Sequence, residues 1–272
     1  MSMPGTGKAD QIARLRRQIA ALGVKADRAE SGETEARVVD FGMQRRDVSL
    51  PELACGALHE VRAAEYRDMS ASIGFAVVLA VCCARTFSDA PILWCESAYA
   101  PFDVGRLYGP GLAAFGLDPA RLILATPTSA VDLLWTMEEA LRLGAFAAVF
   151  GEIDGRAPAL TLTATRRLQL AAEVGGRPAF LLTGHAAHGA SAAATRWGVA
   201  SAPSHSAPET ASLVGRACWR VKLEKSRSAL TGVAADMGAR DWCVEWDARR
   251  QRLCDVPDDP ARILSPDVMQ AV

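Results

Sequence analysis

Apolar residues fall along this chain in two alternating rhythms. Short, nearly continuous apolar runs stand at 56–61 ("GALHEV"), 91–97 ("PILWCES"), 121–127 ("RLILATP"), 145–153 ("AFAAVFGEI") and 178–184 ("PAFLLTG"). They predict strands, because a strand covered on both faces carries apolar side chains at successive positions. Between them lie longer segments with helical character: 70–84 ("SASIGFAVVLAVCCA"), 129–144 ("SAVDLLWTMEEALRLG") and 163–176 ("TATRRLQLAAEVGG"). Ser129 is placed to cap the second of these and Gly144 to stop it. A further helix is expected at 104–116 ("VGRLYGPGLAAFG"), interrupted by Gly109, Pro110 and Gly111. Strands alternating with helices predict right-handed crossovers and a mostly parallel sheet.

The rhythm then changes. Residues 195–204, 217–228, 242–250 and 251–256 read as successive strands with no helices between them, an antiparallel edge added to the parallel sheet. At the other end, Ile12, Leu15, Ile19 and Leu22 recur on one face of an amphipathic helix, with Arg14, Arg16 and Arg17 largely off it. The polar stretch 25–42 reads as a linker. The last residues carry three prolines in "PDDPARILSPDVMQAV" and read as a tail. The chain therefore divides into an N-terminal helix and linker (1–40), an α/β core (41–254) and a C-terminal tail (255–272).

Composition narrows the function. Thirty basic and thirty-one acidic residues leave a net charge of −1, which gives nonspecific phosphate contact no support. Seven cysteines without CxxC spacing fit core thiols in a reducing compartment better than a disulfide framework. No signal-peptide pattern opens the sequence, and the apolar run 73–84 is too short to span a bilayer. A cytoplasmic protein without membrane contact is the expectation.

The arrangement of strand, turn-rich gap and apolar helix at 58–80 is where a nucleotide-binding fold places its phosphate loop. That loop needs glycines so that backbone N–H groups converge, a Lys for charge and a hydroxyl for magnesium. Here the gap is "RAAEYRDMSASIG". Its sole glycine, Gly74, lies inside the expected helix, while Glu65 and Asp68 would repel phosphate. The strand at 145–153 finishes on Gly151 and Glu152 where a metal-binding Asp would stand; Glu152 could hold a cation, but a solvated carboxylate is the plainer reading. The pair His185 and His188 lies in a Gly/Ala-rich loop without a third donor, so no metal is implied. No GxSxG elbow or HExxH helix is present. Glu96, closing the strand at 91–97, stands where parallel sheets present active-site groups; a structural acid is the plainer reading. Lys225 and Arg227 project from one side of an extended segment, able to reach an anion or a neighbouring subunit, or to serve as a solvated edge.

Taken in order, these pieces resemble the RecA-like fold, and more closely the ImuA family. The resemblance rests on "GALHEV" with its following helix, "PILWCE", "YGPGLAAFGLDPARLILA", "DLLWTMEEALR", "TLTATRRLQLAAE", "AAATRWGV" and "WCVEWDARRQRL", together covering about 54–255.

What the resemblance implies is a non-catalytic adaptor of damage-induced translesion synthesis and mutagenesis in bacteria. Its implied partners are ImuB, RecA or a second copy of the chain, and indirectly an error-prone polymerase, with no cofactor. Ile12, Leu15, Ile19 and Leu22 become a docking face like the leading RecA helix. Glu96 matches the RecA carboxylate at the end of the second core strand. Lys225 and Arg227 match the pair that in RecA reaches nucleotide on the next subunit. The segments matching the DNA-gripping loops hold only Arg156 and Arg196 as basic residues. In the tail, Ile263, Leu264, Val268 and Met269 are candidate ImuB anchors. A SulA-like inhibitor of cell division and a DNA-dependent ATPase with an atypical pocket are the alternatives.

Overall fold

The structure, a computed structural model, describes residues 17, 37–43, 50–96, 104–185, 189–204, 215–227 and 241–256. The parallel core contains β3 (Leu58–Ala63), α1 (Met69–Thr86), β4 (Ile92–Cys95), α2 (Gly109–Phe115), β5 (Leu122–Ala125), α3 (Ala130–Leu143), β6 (Ala148–Glu152), α4 (Leu162–Gly175) and β7 (Ala179–Leu182). Before it come two short strands, β1 (Val38–Val39) and β2 (Leu53–Ala54). After it come β8 (Thr195–Ser201), β9 (Cys218–Ser226), β10 (Asp241–Asp247) and β11 (Arg252–Asp255). Nine strands form one sheet in the order β11-β10-β9-β8-β3-β7-β6-β4-β5. From β8 to β5 every pairing is parallel, and β9, β10 and β11 add antiparallel pairs. This is the α/β architecture of a RecA-like core with an antiparallel extension.

Three details depart from the sequence expectation. β8 belongs to the parallel sheet: it pairs with β3 on one side and starts the antiparallel run on the other. The Gly109-Pro110-Gly111 run opens α2 instead of interrupting it. Proline is tolerated in a first turn, where its missing N–H has no intrahelical partner to lose. Part of the supposed linker, Val38–Val39, pairs antiparallel with Leu53–Ala54. Val39 and Phe41 are buried against the α1 side of the core, so the apolar "VV" and "F" are packing residues.

Local chemistry sets the helix ends. The Ser129 hydroxyl accepts the Asp132 N–H at 3.1 Å and Gly144 turns left-handed (φ 62°), stopping α3. Thr161 caps α4 in the same way through the Ala164 N–H. α1 has the length and composition to cross a membrane, but its side chains from Phe75 to Ala84 are buried in the protein's own core. The Arg121 guanidinium donates to the carbonyls of Ala84, Phe87 and Ala90, satisfying acceptors at the C-terminal end of α1.

The sheet separates two apolar layers. Under α1 lies an in-register row running from β4 through β6 and β7 to β3: Trp94, Phe150, Phe180 and His59. Trp94 and Phe150 stack at 4.6 Å between centroids, as do Phe150 and Phe180, and His59 lies 5.4 Å from Phe180. On the opposite face α3 and α4 pack over Leu93, Val149, Leu181 and Leu58. Gly151 admits α3 there, since a Cβ would stand 2.2 Å from the Met137 sulfur.

Beyond the reach of α4, that second face turns polar. Fully buried Glu60 on β3 accepts from Arg196 Nε on β8 at 2.7 Å. One residue pair along, Glu224 on β9 crosses above Gly198 to take both Nε and Nη2 of Arg62. A Cβ on Gly198 would meet the Glu224 carboxylate at 2.6 Å. Removing one member of a buried ion pair leaves the other desolvated and uncompensated. Arg196→Met is therefore expected to cost about 3 kcal/mol or more in urea unfolding. The double variant Glu60→Leu/Arg196→Met should recover most of that loss.

Candidate functional site

A cleft lies near the carboxyl ends of the parallel strands. Strand β3 leads through Ala64 and Glu65 into a short 3-10 turn, Tyr66–Asp68, and α1 starts at Met69. Asp68 is buried, and its carboxylate accepts the N–H and hydroxyl of Ser201 and the N–H of Glu65. The position of a phosphate loop is thus occupied by an acidic turn that ties α1 to the end of β8. Anions gain from converging N–H groups at a helix start; a fixed carboxylate there opposes them.

Beside this turn two buried carboxyl groups stand at the ends of neighbouring strands. Glu96, after β4, accepts Leu107 N–H at 3.2 Å and Arg106 Nε at 3.3 Å. Glu152 ends β6 and accepts the Trp94 indole N–H at 2.6 Å. It is 7% exposed, so the expectation of a solvated carboxylate is corrected: Trp94, two residues back along the neighbouring strand, draws it inward. Glu152 forms part of a cleft of about 290 Å³ whose walls come from α1, α2 and the segment 104–108. Burial pushes its carboxyl up to about 7, the Trp94 hydrogen bond opposes the rise, and the Glu96 charge adds to it.

The other candidate residues fall into separate places. Lys225 Nζ donates to the Ser191 carbonyl at 2.6 Å and Arg227 Nη1 to the Ala192 carbonyl at 3.1 Å. Both hold down the segment leading into β8, and burial lowers the Lys225 ammonium below the usual lysine range. Arg196 is engaged with Glu60, whereas Arg156 is exposed on the turn after β6. Glu96 is therefore tied to the cleft wall through Arg106 and Leu107, and Lys225, Arg227, Arg156 and Arg196 are not part of that lining. Ile12, Leu15, Ile19, Leu22, Ile263, Leu264, Val268 and Met269 lie outside the described residues. Strand β11 runs through Asp255, and the described residues end at Val256. Among the described residues no group of three or more His, Cys, Asp or Glu is placed to hold a metal ion. Buried thiols sit high, Cys55 at about 11 and Cys82 at about 12, because burial disfavours the thiolate.

A second surface went unnoticed in the sequence. A groove of about 310 Å³ runs between the first halves of α3 and α4, lined by Val131, Leu134, Trp135, Ala159 and Ala164 among others. Leu162, Leu170 and Val174 also stand exposed along α4. The signal was available: Leu162, Leu170 and Val174 repeat at multiples of four on a face different from the buried Leu168, Ala171 and Ala172. A helix apolar on two faces has one face to spare for a partner. The groove's polar end is fixed by Glu138, which is buried and paired with Arg142 and Arg167.

A mostly parallel α/β sheet with acids at two neighbouring strand ends and an acidic turn before its first long helix is an architecture consistent with a RecA-like core. The chain is 32% identical over 221 residues to Protein ImuA of Caulobacter vibrioides strain NA1000 / CB15N, covering 73% of this chain and 82% of that protein. Protein ImuA of strain ATCC 19089 / CIP 103742 / CB 15 matches with the same figures. The chain belongs to the ImuA family. No family model matches it.

Two buried groups make opposite demands on pH. His59 is fully buried and lowered to about 4 by desolvation, so the unfolded chain protonates first. Its contribution is complete above pH 6.5 and is lost as pH falls toward 4, about 3 kcal/mol in all. Glu152, raised to about 7, favours the folded state below pH 4.5 and loses that advantage as pH rises through 7, by a similar amount. Glu152→Gln is expected to raise the melting temperature relative to the parent at pH 8 and to leave it nearly unchanged at pH 4.5. Thermal melts of both proteins across that range check the sign.

Proposed function

We propose that this chain is a non-catalytic RecA-like adaptor in damage-induced translesion DNA synthesis and mutagenesis. It works in the cytoplasm through protein contacts with ImuB, with RecA or a second copy of itself as further partners and an error-prone polymerase reached indirectly. The observation that carries this reading is the exposed apolar groove of α3 and α4 on a fold whose phosphate-loop position is filled by Glu65 and buried Asp68. Membership of the ImuA family supports it. So does the engagement of Lys225 and Arg227, the residues matching the trans-acting pair of RecA, with carbonyls of their own chain.

A helix laid in a groove is anchored by a few apolar side chains, and loss of such anchors typically costs more than 1 kcal/mol each. Val131→Asp combined with Leu170→Glu alters exposed positions only. It should weaken ImuB capture at least tenfold while leaving the melting temperature within a few degrees. Undiminished capture would remove α3 and α4 from the contact. Deleting 257–272, which spares β11, tests the tail separately. Titration calorimetry with magnesium ATP is expected to show no saturable heat up to millimolar nucleotide; micromolar binding would overturn the non-catalytic reading.

A further inference from the structure

The Glu152 cleft has a charge imbalance that neither the fold nor the adaptor reading explains. Its helical walls are mainly apolar, Ile73 and Val77 from α1 and Leu112 and Phe115 from α2, with Leu107 beside them; the one cation in the lining is Arg106, which is paired with Glu96. Neither helix contributes a charged residue to the lining. Glu152 stands in the lining, and Glu96 lies behind the wall, bonded to Arg106 and Leu107. Glu96 is matched by Arg106, whose side chain is otherwise largely in solvent. Glu152 has the Trp94 N–H, a neutral donor, and no cation among the described residues. The Cys95 thiol on β4 also lies near it, kept neutral by burial. A carboxylate at the bottom of an apolar cleft with only a dipole for company is paired poorly for a buried charge.

We propose that this cleft is a binding site for a single amidinium or guanidinium group carried on a compact apolar body. One positive charge balances the one unmatched carboxylate. A planar fork of N–H donors suits a carboxyl oxygen pair, and the remaining walls suit an aromatic or aliphatic carrier. The volume of about 290 Å³ lies at the small end of ligand sites, which favours one ring or one side chain over a nucleotide. The cleft lies along α1 and α2 and approaches the turn that replaces the phosphate loop only at Ser70. The test reads cation binding rather than partner capture, so the inference stands or falls independently of the adaptor reading.

Such a cation has two sources, a free small molecule or an arginine side chain of another protein, and the probes separate them. Benzamidinium represents the first and the blocked tripeptide acetyl-Leu-Arg-Leu-amide the second. Each is titrated into the full chain and followed by amide chemical shifts and calorimetry. The expected result is saturable millimolar or tighter binding by at least one probe, with shifts centred on Ile73, Val77 and Leu112. Tighter binding of the peptide assigns the source to a protein, and tighter binding of benzamidinium assigns it to a small molecule. Neutral benzamide should fail to bind. Because the proton competes with the ligand for Glu152, affinity should fall about tenfold from pH 8 to pH 6. Glu152→Gln keeps an acceptor for Trp94 and should weaken binding at least tenfold while abolishing that pH dependence. Ser70→Trp, a change at an exposed rim position, should block entry with the carboxyl intact. Absence of binding by both probes, or binding that Glu152→Gln and Ser70→Trp leave untouched, overturns the proposal.

Discussion

The row of rings from Trp94 through Phe150 and Phe180 to His59 constrains much of this molecule. Stacking requires Trp94, Phe150 and Phe180 to stay in register, and a one-residue slip of any strand would move its ring to the other face. The row also carries polar atoms at both ends, deep under α1. At one end the Trp94 N–H needs an acceptor and finds Glu152. At the other, Trp197 Nε1 donates to the Thr195 hydroxyl, the hydroxyl donates to His59 Nδ1, and His59 Nε2 donates to the Ala54 carbonyl. That chain of donors fixes the neutral imidazole with its proton on Nε2 and ties β2 to β3 and β8. Buried polar groups hold a unique arrangement only when all are satisfied. The register of four strands and the position of the strand-end acid are thus parts of one solution.

Much of the fold was legible because its signals are local. Continuous apolar runs marked the parallel strands, and the Ser129 and Gly144 caps followed from side-chain hydrogen bonding and left-handed backbone within α3 itself. What escaped depended on distant partners. β1 is two residues long and owes its burial to packing against α1 and to pairing with β2. β8 reads like its antiparallel successors, and only its pairing to β3 gives it a parallel side. Glu152 looks like any carboxylate at a strand end until Trp94 is placed on the adjacent strand. Glu96, by contrast, could be set at a strand end from its position after an apolar run alone.

The charged residues show how composition misleads about function. Arg62, Arg196, Lys225 and Arg227 would make a basic stripe across β3, β8 and β9 if counted from the sequence. In the folded chain Glu224, Glu60 and the carbonyls of Ser191 and Ala192 take them up. The bulge between Arg196 and Trp197 in the β8–β9 pairing sets Lys225 and not Glu224 opposite Arg196, leaving Glu224 to Arg62. Among the described residues, these pairings leave open the α3 and α4 groove and the Glu152 cleft.

The Arg85 guanidinium donates to the carbonyls of Asp40 and Gln251, and the Leu253 N–H donates to the Phe41 carbonyl. The strand that closes the core is therefore latched to the stretch that opens it, at the rim of the sheet farthest from β5. Residues 40–41 and 251–253 thus share one guanidinium and one backbone bond, so a disturbance that loosens the last strand also releases the stretch between β1 and β2.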